Sequence, residues 1–122
     1  MLKTFDGLTL LAYCSLIFWL SDQQTLPMPS TFEFQDKFLH VGAYWVMGVL
    51  SWRAFRHFGM PALTLSMVSL LFCSVYGISD EWHQSFVPGR ESSAADWLAD
   101  SFGAALAMLM LLKFKPIHGL NG

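Results

Sequence analysis

The chain has 122 residues, of which 54% are hydrophobic and 13% charged, and its formal net charge is −2. Soluble domains carry about 25% charged residues, so this composition disfavours a soluble domain, and the lack of a basic patch argues against nucleic-acid binding. Because about 100 to 150 residues make one folding unit and no polar linker divides the sequence, we expect a single membrane domain over residues 1–122.

Four apolar segments approach the roughly 20 residues that a helix needs to cross a bilayer. Between them lie the helix-breaking residues Pro27 and Pro29, then Gly59, then Pro88 and Gly89, which are typical of loops between spans. The predicted fold is therefore all-α, a bundle of four transmembrane helices. Its spans are approximately residues 5–20, 38–55, 60–78 and 95–113.

The positions of the basic residues predict the orientation of these spans. Five basic residues fall at one end of the predicted bundle and two at the other, namely Lys3, Arg53, Arg56, Lys113 and Lys115 against Lys37 and Arg90. Cytoplasmic segments retain Lys and Arg, so we expect both termini in the cytoplasm and the segments 21–37 and 79–94 outside. The sequence thus predicts a multi-pass protein of the inner membrane.

Most acidic residues gather at the outward end of the predicted bundle. Six of the nine acids lie close to the outer ends of the last three spans: Asp36, Asp80, Glu81, Glu91, Asp96 and Asp100. A charge at the centre of a membrane helix costs about 2.5 to 3.5 kcal/mol on insertion scales, and ionisable residues inside membranes usually mark functional sites. So many acids at one end predict a polar pocket that carries the function.

Helical spacing places the polar groups on three stripes, because residues three and four apart share a helix face. The stripes are Asp36, His40 and Tyr44 on the second span; Tyr76, Asp80 and either His83 or Gln84 on the third; and Asp96, Asp100, Gly103 and Ala107 on the fourth. The small residues of the fourth span would let helix backbones approach closely. We expect the three stripes to meet in one water-accessible hollow just beneath the outer surface.

Two stretches of the sequence form recognisable motifs. They are Asp36-Lys37-x-x-His40-x-x-x-Tyr44, and Tyr76-Gly77-x-x-Asp80-Glu81-x-x-Gln84-x-Phe86-Val87-Pro88-Gly89-Arg90-x-x-Ser93-x-x-Asp96-x-x-Ala99. With these motifs the chain resembles the VanZ-like family of small bacterial membrane proteins over residues 36 to about 107. The resemblance implies a protein of the bacterial cell envelope, and the namesake of the family is associated with resistance to the glycopeptide teicoplanin.

One position departs from the family pattern. The pattern usually continues with Ala-Asn-x-x-Gly, whereas this sequence has Ala99, Asp100, Ser101, Phe102 and Gly103. A carboxyl group thus replaces an amide. It either makes the pocket more acidic or stays protonated beside another carboxylate.

Imidazole and carboxylate groups are common ligands of divalent cations, and the predicted pocket contains both. The predicted metal ligands are Asp36, His40, Asp80 and Asp96. The predicted catalytic residues are Asp36, His40, Asp80, Glu81 and Asp96, and the predicted substrate-binding residues are Lys37, Tyr44, Tyr76, Gln84, Arg90 and Asp100. Because the pocket is net acidic, it should repel a bare phosphate unless a cation is bound or several acids are protonated.

Three kinds of function remain open for this pocket. The first is an enzyme that modifies a lipid-linked or cell-envelope head group by metal-assisted or acid/base chemistry. The second is a binding module without chemistry for an envelope lipid or an amphiphilic antibiotic, in which Lys37 and Arg90 hold an anionic group beside Trp45, Trp82 and Phe86. The third is a structural accessory protein, in which the charged groups only satisfy one another.

Overall fold

The structure is a computed structural model and describes residues 2–21, 35–87 and 94–114. These residues form four α-helices and one short 3-10 helix, and no strand occurs among them. The elements are α1 (Leu2–Ser21), α2 (Gln35–Phe55), the 3-10 helix (Arg56–Phe58), α3 (Ala62–Gln84) and α4 (Ala94–Phe114). The predicted all-α class with four helices is confirmed.

Two of the described helices are long and apolar enough to cross a membrane. The qualifying segments are Ala62–Gln84 in α3 and Ala94–Lys113 in α4, judged by length and composition. The other two helices reach the length of a span, with 20 residues in α1 and 21 in α2. Their polar residues, among them Asp6 in α1 and His40 and Arg53 in α2, lower their apolar character.

The turn between α2 and α3 follows the sequence prediction. The 3-10 helix ends at Phe58 and is followed by Gly59, whose φ of 76° lies in the left-handed region that glycine adopts without steric cost. Pro61 then precedes the first residue of α3, and its fixed φ suits a helix start. Helix α3 continues to Gln84, six residues past the predicted end at 78. The apolar run stops at residue 78, but the helix continues through the polar residues that follow it.

The closest helix pair is α2 with α4, and small residues make the approach possible. A Cβ atom added at Gly103 would overlap the backbone carbonyl of Val41, and one added at Gly48 would lie 2.9 Å from the Cβ of Ala107. Ala107 is fully buried at this contact. The expectation that small residues of the last helix permit close packing is therefore confirmed.

Helix α1 lies against the other helices through two hydrogen bonds to backbone carbonyls. The Tyr13 hydroxyl donates to the carbonyl of Ala43 on α2 at 2.5 Å, and the Tyr76 hydroxyl on α3 donates to the carbonyl of Cys14 at 2.5 Å. Leu10 and Ile17 of α1 are buried in the same core. These contacts fix the direction of α1, which runs antiparallel to α2.

An ionic cluster joins the beginning of α1 to the end of α2. Asp6 is buried, and its carboxylate lies 3.3 Å from Arg53, 3.3 Å from Arg56 and 2.8 Å from His57. We call these four residues the Asp6 cluster. Charge-assisted hydrogen bonds of this kind are stronger than neutral ones, so the Asp6 cluster anchors α1 at the end of the bundle opposite to His40 and Asp100.

Candidate functional site

Polar side chains from three helices meet at the other end of the bundle. The beginning of α2, the end of α3 and the beginning of α4 supply them, because the three helices alternate in direction. We call this group the polar cluster, and its members are His40, Tyr44, Asp80, Glu81, Asp96 and Asp100. Three of its carboxyl-bearing residues are nearly inaccessible, with exposed fractions of 6% for Asp80, 3% for Asp96 and 0% for Asp100.

The shortest contact of the polar cluster pairs an imidazole with a carboxylate. The Nδ1 atom of His40 lies 2.5 Å from Oδ1 of Asp100, and its Nε2 atom lies 4.0 Å from Oδ2 of Asp96. A hydrogen bond from Nδ1 to Asp100 fixes both the tautomer and the plane of the ring. Nε2 is then the ring nitrogen that lies beside Asp96.

Tyr44 connects the second helix to the third within the polar cluster. Its hydroxyl donates to Oδ2 of Asp80 at 3.5 Å, which is at the long limit for a hydrogen bond. Tyr44 is 1% exposed and belongs to the hydrophobic core. It therefore forms the floor of the polar cluster, where the polar groups give way to apolar packing.

Contacts between α3 and α4 hold Asp100 in place. A Cβ atom added at Gly77 would lie 3.1 Å from Oδ2 of Asp100 and 3.2 Å from Cδ1 of Trp97, so glycine makes room for the carboxylate. Trp97 donates its indole N–H to the carbonyl of Ser74 at 3.0 Å. The hydroxyl oxygens of Ser74 and Ser101 lie 3.1 Å apart. Asp100 is thus set in a well-packed interface.

Three side chains of the polar cluster have the geometry to hold a metal ion. Ligand atoms of His40, Glu81 and Asp100 all lie within 4.8 Å of one another. Two oxygens on opposite sides of a Ca²⁺ ion stand about 4.6 to 5.2 Å apart, twice the bond length of about 2.3 to 2.6 Å, so the three groups are near enough to share one ion. One imidazole and two carboxylates are also a donor set that suits Mn²⁺ or Zn²⁺.

The family model described as VanZ/LLP1 matches residues 7–115. This match covers most of the chain and includes most of α1, which lies outside the two sequence motifs. The chain belongs to the VanZ/LLP1 family. Neither the curated proteins nor the solved structures compared with it gave a match. Membership of VanZ/LLP1, together with the two apolar helices, indicates a membrane protein.

The predicted site residues of this VanZ/LLP1 chain fall into three groups. His40, Tyr44, Asp80, Glu81, Asp96 and Asp100 come together. Tyr76 and Gln84 lie nearby, but the Tyr76 hydroxyl is directed to α1, and Gln84 is buried at the end of α3. Asp36 and Lys37 lie in α2, but their side chains are outside the described part of the structure, and so is Arg90.

The predicted metal set and the observed ligand geometry share one residue. Asp36, His40, Asp80 and Asp96 were expected as ligands from helical spacing, and that set stays a prediction. The described side chains whose ligand atoms are close enough are His40, Glu81 and Asp100. Spacing along one helix shows which residues share a face, but the closeness of Asp100 to His40 depends on how α4 rotates against α2.

The Asp6 cluster of this VanZ/LLP1 chain was not predicted. His57 had no expected role, and Asp6 was not considered as its partner. A signal was present in the sequence: one acid lies in the first apolar segment, and Arg53, Arg56 and His57 lie on the same predicted side of the membrane. An isolated charge in an apolar helix calls for a partner of opposite sign.

Proposed function

We propose that the chain crosses the bacterial cytoplasmic membrane four times, with both termini in the cytoplasm and the polar cluster near the outer surface. Two helices that are long and apolar enough to cross a membrane support membrane insertion, and the other two run beside them with similar lengths. Lys3, Arg53 and Arg56 lie at the end of the bundle that holds the Asp6 cluster. By the positive-inside rule this end faces the cytoplasm.

We further propose that the polar cluster binds the head group of an envelope lipid through a divalent cation. The observation that carries this proposal is the convergence of ligand atoms from His40, Glu81 and Asp100 within 4.8 Å, from three different helices. Four carboxyl groups with one imidazole would repel an anionic head group. A bound cation reverses the local charge and supplies a positive centre to which a phosphate or carboxylate can bind.

As an alternative to cation binding through Nε2, the same geometry supports acid/base chemistry on the head group. Asp100 accepts a hydrogen bond from Nδ1 of His40, which orients the ring. The Nε2 atom can then take a proton from a bound water or return it to a leaving oxygen. In this arrangement His40 acts as the base and Asp100 as its orienting partner.

A binding module without chemistry is the second candidate. An apolar cavity adjoins the polar cluster at Asp80, with Phe18, Trp82 and Phe86 in its wall. Such a site fits an amphiphile, either an envelope lipid or an amphiphilic antibiotic, because ligand pockets are mainly apolar with a few polar groups that fix orientation. Comparison of the envelope lipids in cells with and without the protein separates the two candidates. A head group that accumulates without the protein indicates a reaction.

Metal analysis of the purified protein tests the cation proposal. Wild type, His40→Ala and the matched control His57→Ala are loaded with Mn²⁺ in detergent, dialysed and analysed. His57 is also half-buried and pairs with a carboxylate, but at the opposite end of the bundle. We expect about one ion per chain in wild type and in His57→Ala, and a clear loss in His40→Ala. Equal metal content in all three proteins, or none in any, would reject the cation site.

A further inference from the structure

A cavity lies between the ends of α1 and α3, next to the polar cluster. Its volume is about 240 Å³. Phe18 and His83 close it on one side, with their rings stacked at a centroid distance of 4.5 Å. Asp80 belongs both to the wall of this cavity and to the polar cluster. The cavity is therefore an apolar space with one polar end.

A second apolar cavity continues along α3 from the first. It has a volume of about 430 Å³ and shares Tyr76 and Ser79 with the first cavity. Its other walls are Phe55, Val68, Leu71, Phe72 and Val75. Val68 and His83 are 15 positions apart in the sequence, which in a helix is about 22 Å. The two cavities thus form a lateral groove that covers most of the roughly 30 Å hydrocarbon core of a bilayer.

We propose that this lateral groove holds one acyl chain of a phospholipid whose head group lies at the polar cluster. The inference rests on the proposed function, because it takes the polar cluster as the head-group site. The groove runs along α3, one of the two helices apolar enough to span a membrane, and Leu71 and Val75 on its wall are exposed. In a bilayer, the medium that meets such a wall consists of acyl chains.

Continuity between the groove and the polar cluster selects a lipid rather than another helix. A second transmembrane helix has a diameter of about 10 Å or more and needs small residues for close packing, whereas this groove is walled mainly by Phe, Leu and Val. A single acyl chain is thinner. At its outer end Asp80 and His83 provide polar groups beside which a head group can lie without entering the hydrocarbon.

The position of the head group is what distinguishes the bound lipid from its neighbours. Lipid tails are as apolar as the groove walls, so burial of a chain gives no hydrophobic gain inside a membrane. Retention must therefore come from van der Waals contact in the groove together with the polar contacts at its end. A lipid held in this way exchanges slowly and binds saturably, unlike the lipids at the rest of the surface.

Photolabelling in vesicles tests the lateral groove. The protein is reconstituted in phosphatidylethanolamine and phosphatidylglycerol vesicles that contain increasing amounts of a phosphatidylethanolamine with a diazirine in one acyl chain. Labelled peptides are mapped by mass spectrometry. Val75→Trp fills the groove, and Ile78→Trp is the matched control, because both side chains are 54% exposed on the same helix while Ile78 is not a wall residue of either cavity.

We expect labelling of residues 68–83 to saturate in wild type and in Ile78→Trp. In Val75→Trp it should fall roughly tenfold, the equivalent of about 1.4 kcal/mol of lost binding. Should Val75→Trp fail to fold, Ser79→Phe replaces it, since Ser79 is exposed and lines both cavities. Labelling that rises without saturation, or that is equal in the groove-filling and control variants, would overturn the proposal.

The two proposals can fail separately in these experiments. Saturable labelling that is lost in Val75→Trp, in a protein that binds no Mn²⁺, would reject the cation site and support the groove. Binding of Mn²⁺ that depends on His40, together with labelling that does not saturate, would reject the groove and leave the cation site. Saturation by an isoprenoid probe in place of the phospholipid probe would also overturn the assignment of a phospholipid chain.

Discussion

His40 on α2 and Asp100 on α4 are 60 positions apart in the sequence, and their Nδ1 and Oδ1 atoms lie 2.5 Å apart. The pair joins two helices that already pack closely through Gly103 and Val41. Because Asp100 is fully buried, water cannot replace His40 as its partner. The pair therefore contributes both to the packing of the two helices and to the orientation of the imidazole.

Replacing Asp100 by Asn tests the role of its charge. Asn can still accept a hydrogen bond from His40, so we expect the helical fold to be retained. Its amide is a poor metal ligand, and Mn²⁺ affinity should fall by more than roughly tenfold, the lower end of the range found even for outer-shell partners of metal ligands. Isothermal titration with Mn²⁺ measures this change. Ser101→Ala is the control, because the Ser101 hydroxyl pairs with the Ser74 hydroxyl and is not in the ligand set. Unchanged Mn²⁺ affinity in Asp100→Asn would contradict the assignment.

Tyr44→Phe removes the hydroxyl that contacts Asp80 and keeps the ring in the core. The hydrogen bond is long, at 3.5 Å, so we expect the free energy of unfolding to fall by only about 0.5 to 1.5 kcal/mol. Mn²⁺ affinity should stay close to that of wild type, because Tyr44 is not in the ligand set. Denaturant titration in detergent, followed by circular dichroism, measures the first quantity. A loss of Mn²⁺ binding as large as that in His40→Ala would show that Tyr44 has a direct role.

Gly103→Ala tests the close approach of α2 and α4. Its Cβ atom would overlap the backbone carbonyl of Val41, which cannot move without a shift of the helix. We expect the free energy of unfolding to fall by about 3 kcal/mol, at the upper end of the usual cost of overpacking. Gly42→Ala is the matched control, because no atom lies within 4 Å of its Cβ position, and alanine should favour the helix by up to about 1 kcal/mol. Equal unfolding midpoints for the two variants would contradict this packing.

The fold was predictable from the sequence to the extent that it depends on local properties. Four apolar segments and the turn at Gly59 gave the helices and their order, and the spacing of His40 with Tyr44 gave one face of the site. Helix α3 continues to Gln84, six residues beyond the predicted span, because the end of an apolar run is not the end of a helix. The rotation of one helix against another depends on contacts between residues far apart in the sequence, which local patterns do not determine.

The pairing of His40 with Asp100 illustrates this limit. The sequence placed both residues at the same end of the bundle, but it grouped His40 with Asp36, Asp80 and Asp96. The contact arises because Gly103 lets α4 lie against Val41, and Gly77 leaves space for the carboxylate of Asp100. The Asp6 cluster was not predicted for a related reason, because its members come from the first helix and, 47 to 51 positions later, from the end of α2 and the 3-10 helix after it.

Asp6→Asn tests whether the Asp6 cluster anchors α1. The substitution leaves Arg53, Arg56 and His57 close together without the negative charge between them. Hydrogen bonds to charged groups contribute about 1.5 to 3 kcal/mol each when buried, but these partners are partly exposed, so we expect a loss of about 1 to 3 kcal/mol in the free energy of unfolding. Ser15→Ala is the control, because its exposed hydroxyl bonds only the carbonyl of Leu11 in its own helix. A protease site placed before α1 should also be cut faster in Asp6→Asn than in wild type. Equal free energies of unfolding for Asp6→Asn and Ser15→Ala would contradict the anchoring role.

The central claim is that side chains from three helices hold one cation at the polar cluster, with His40 among its ligands. Electron spin echo envelope modulation of the Mn²⁺-loaded protein tests it directly, because a coordinating imidazole nitrogen modulates the manganese signal. We predict one bound Mn²⁺ per chain, with nitrogen modulation in wild type that is lost in His40→Ala and kept in His57→Ala. Bound Mn²⁺ without nitrogen modulation, or with the same modulation in His40→Ala, would contradict the claim.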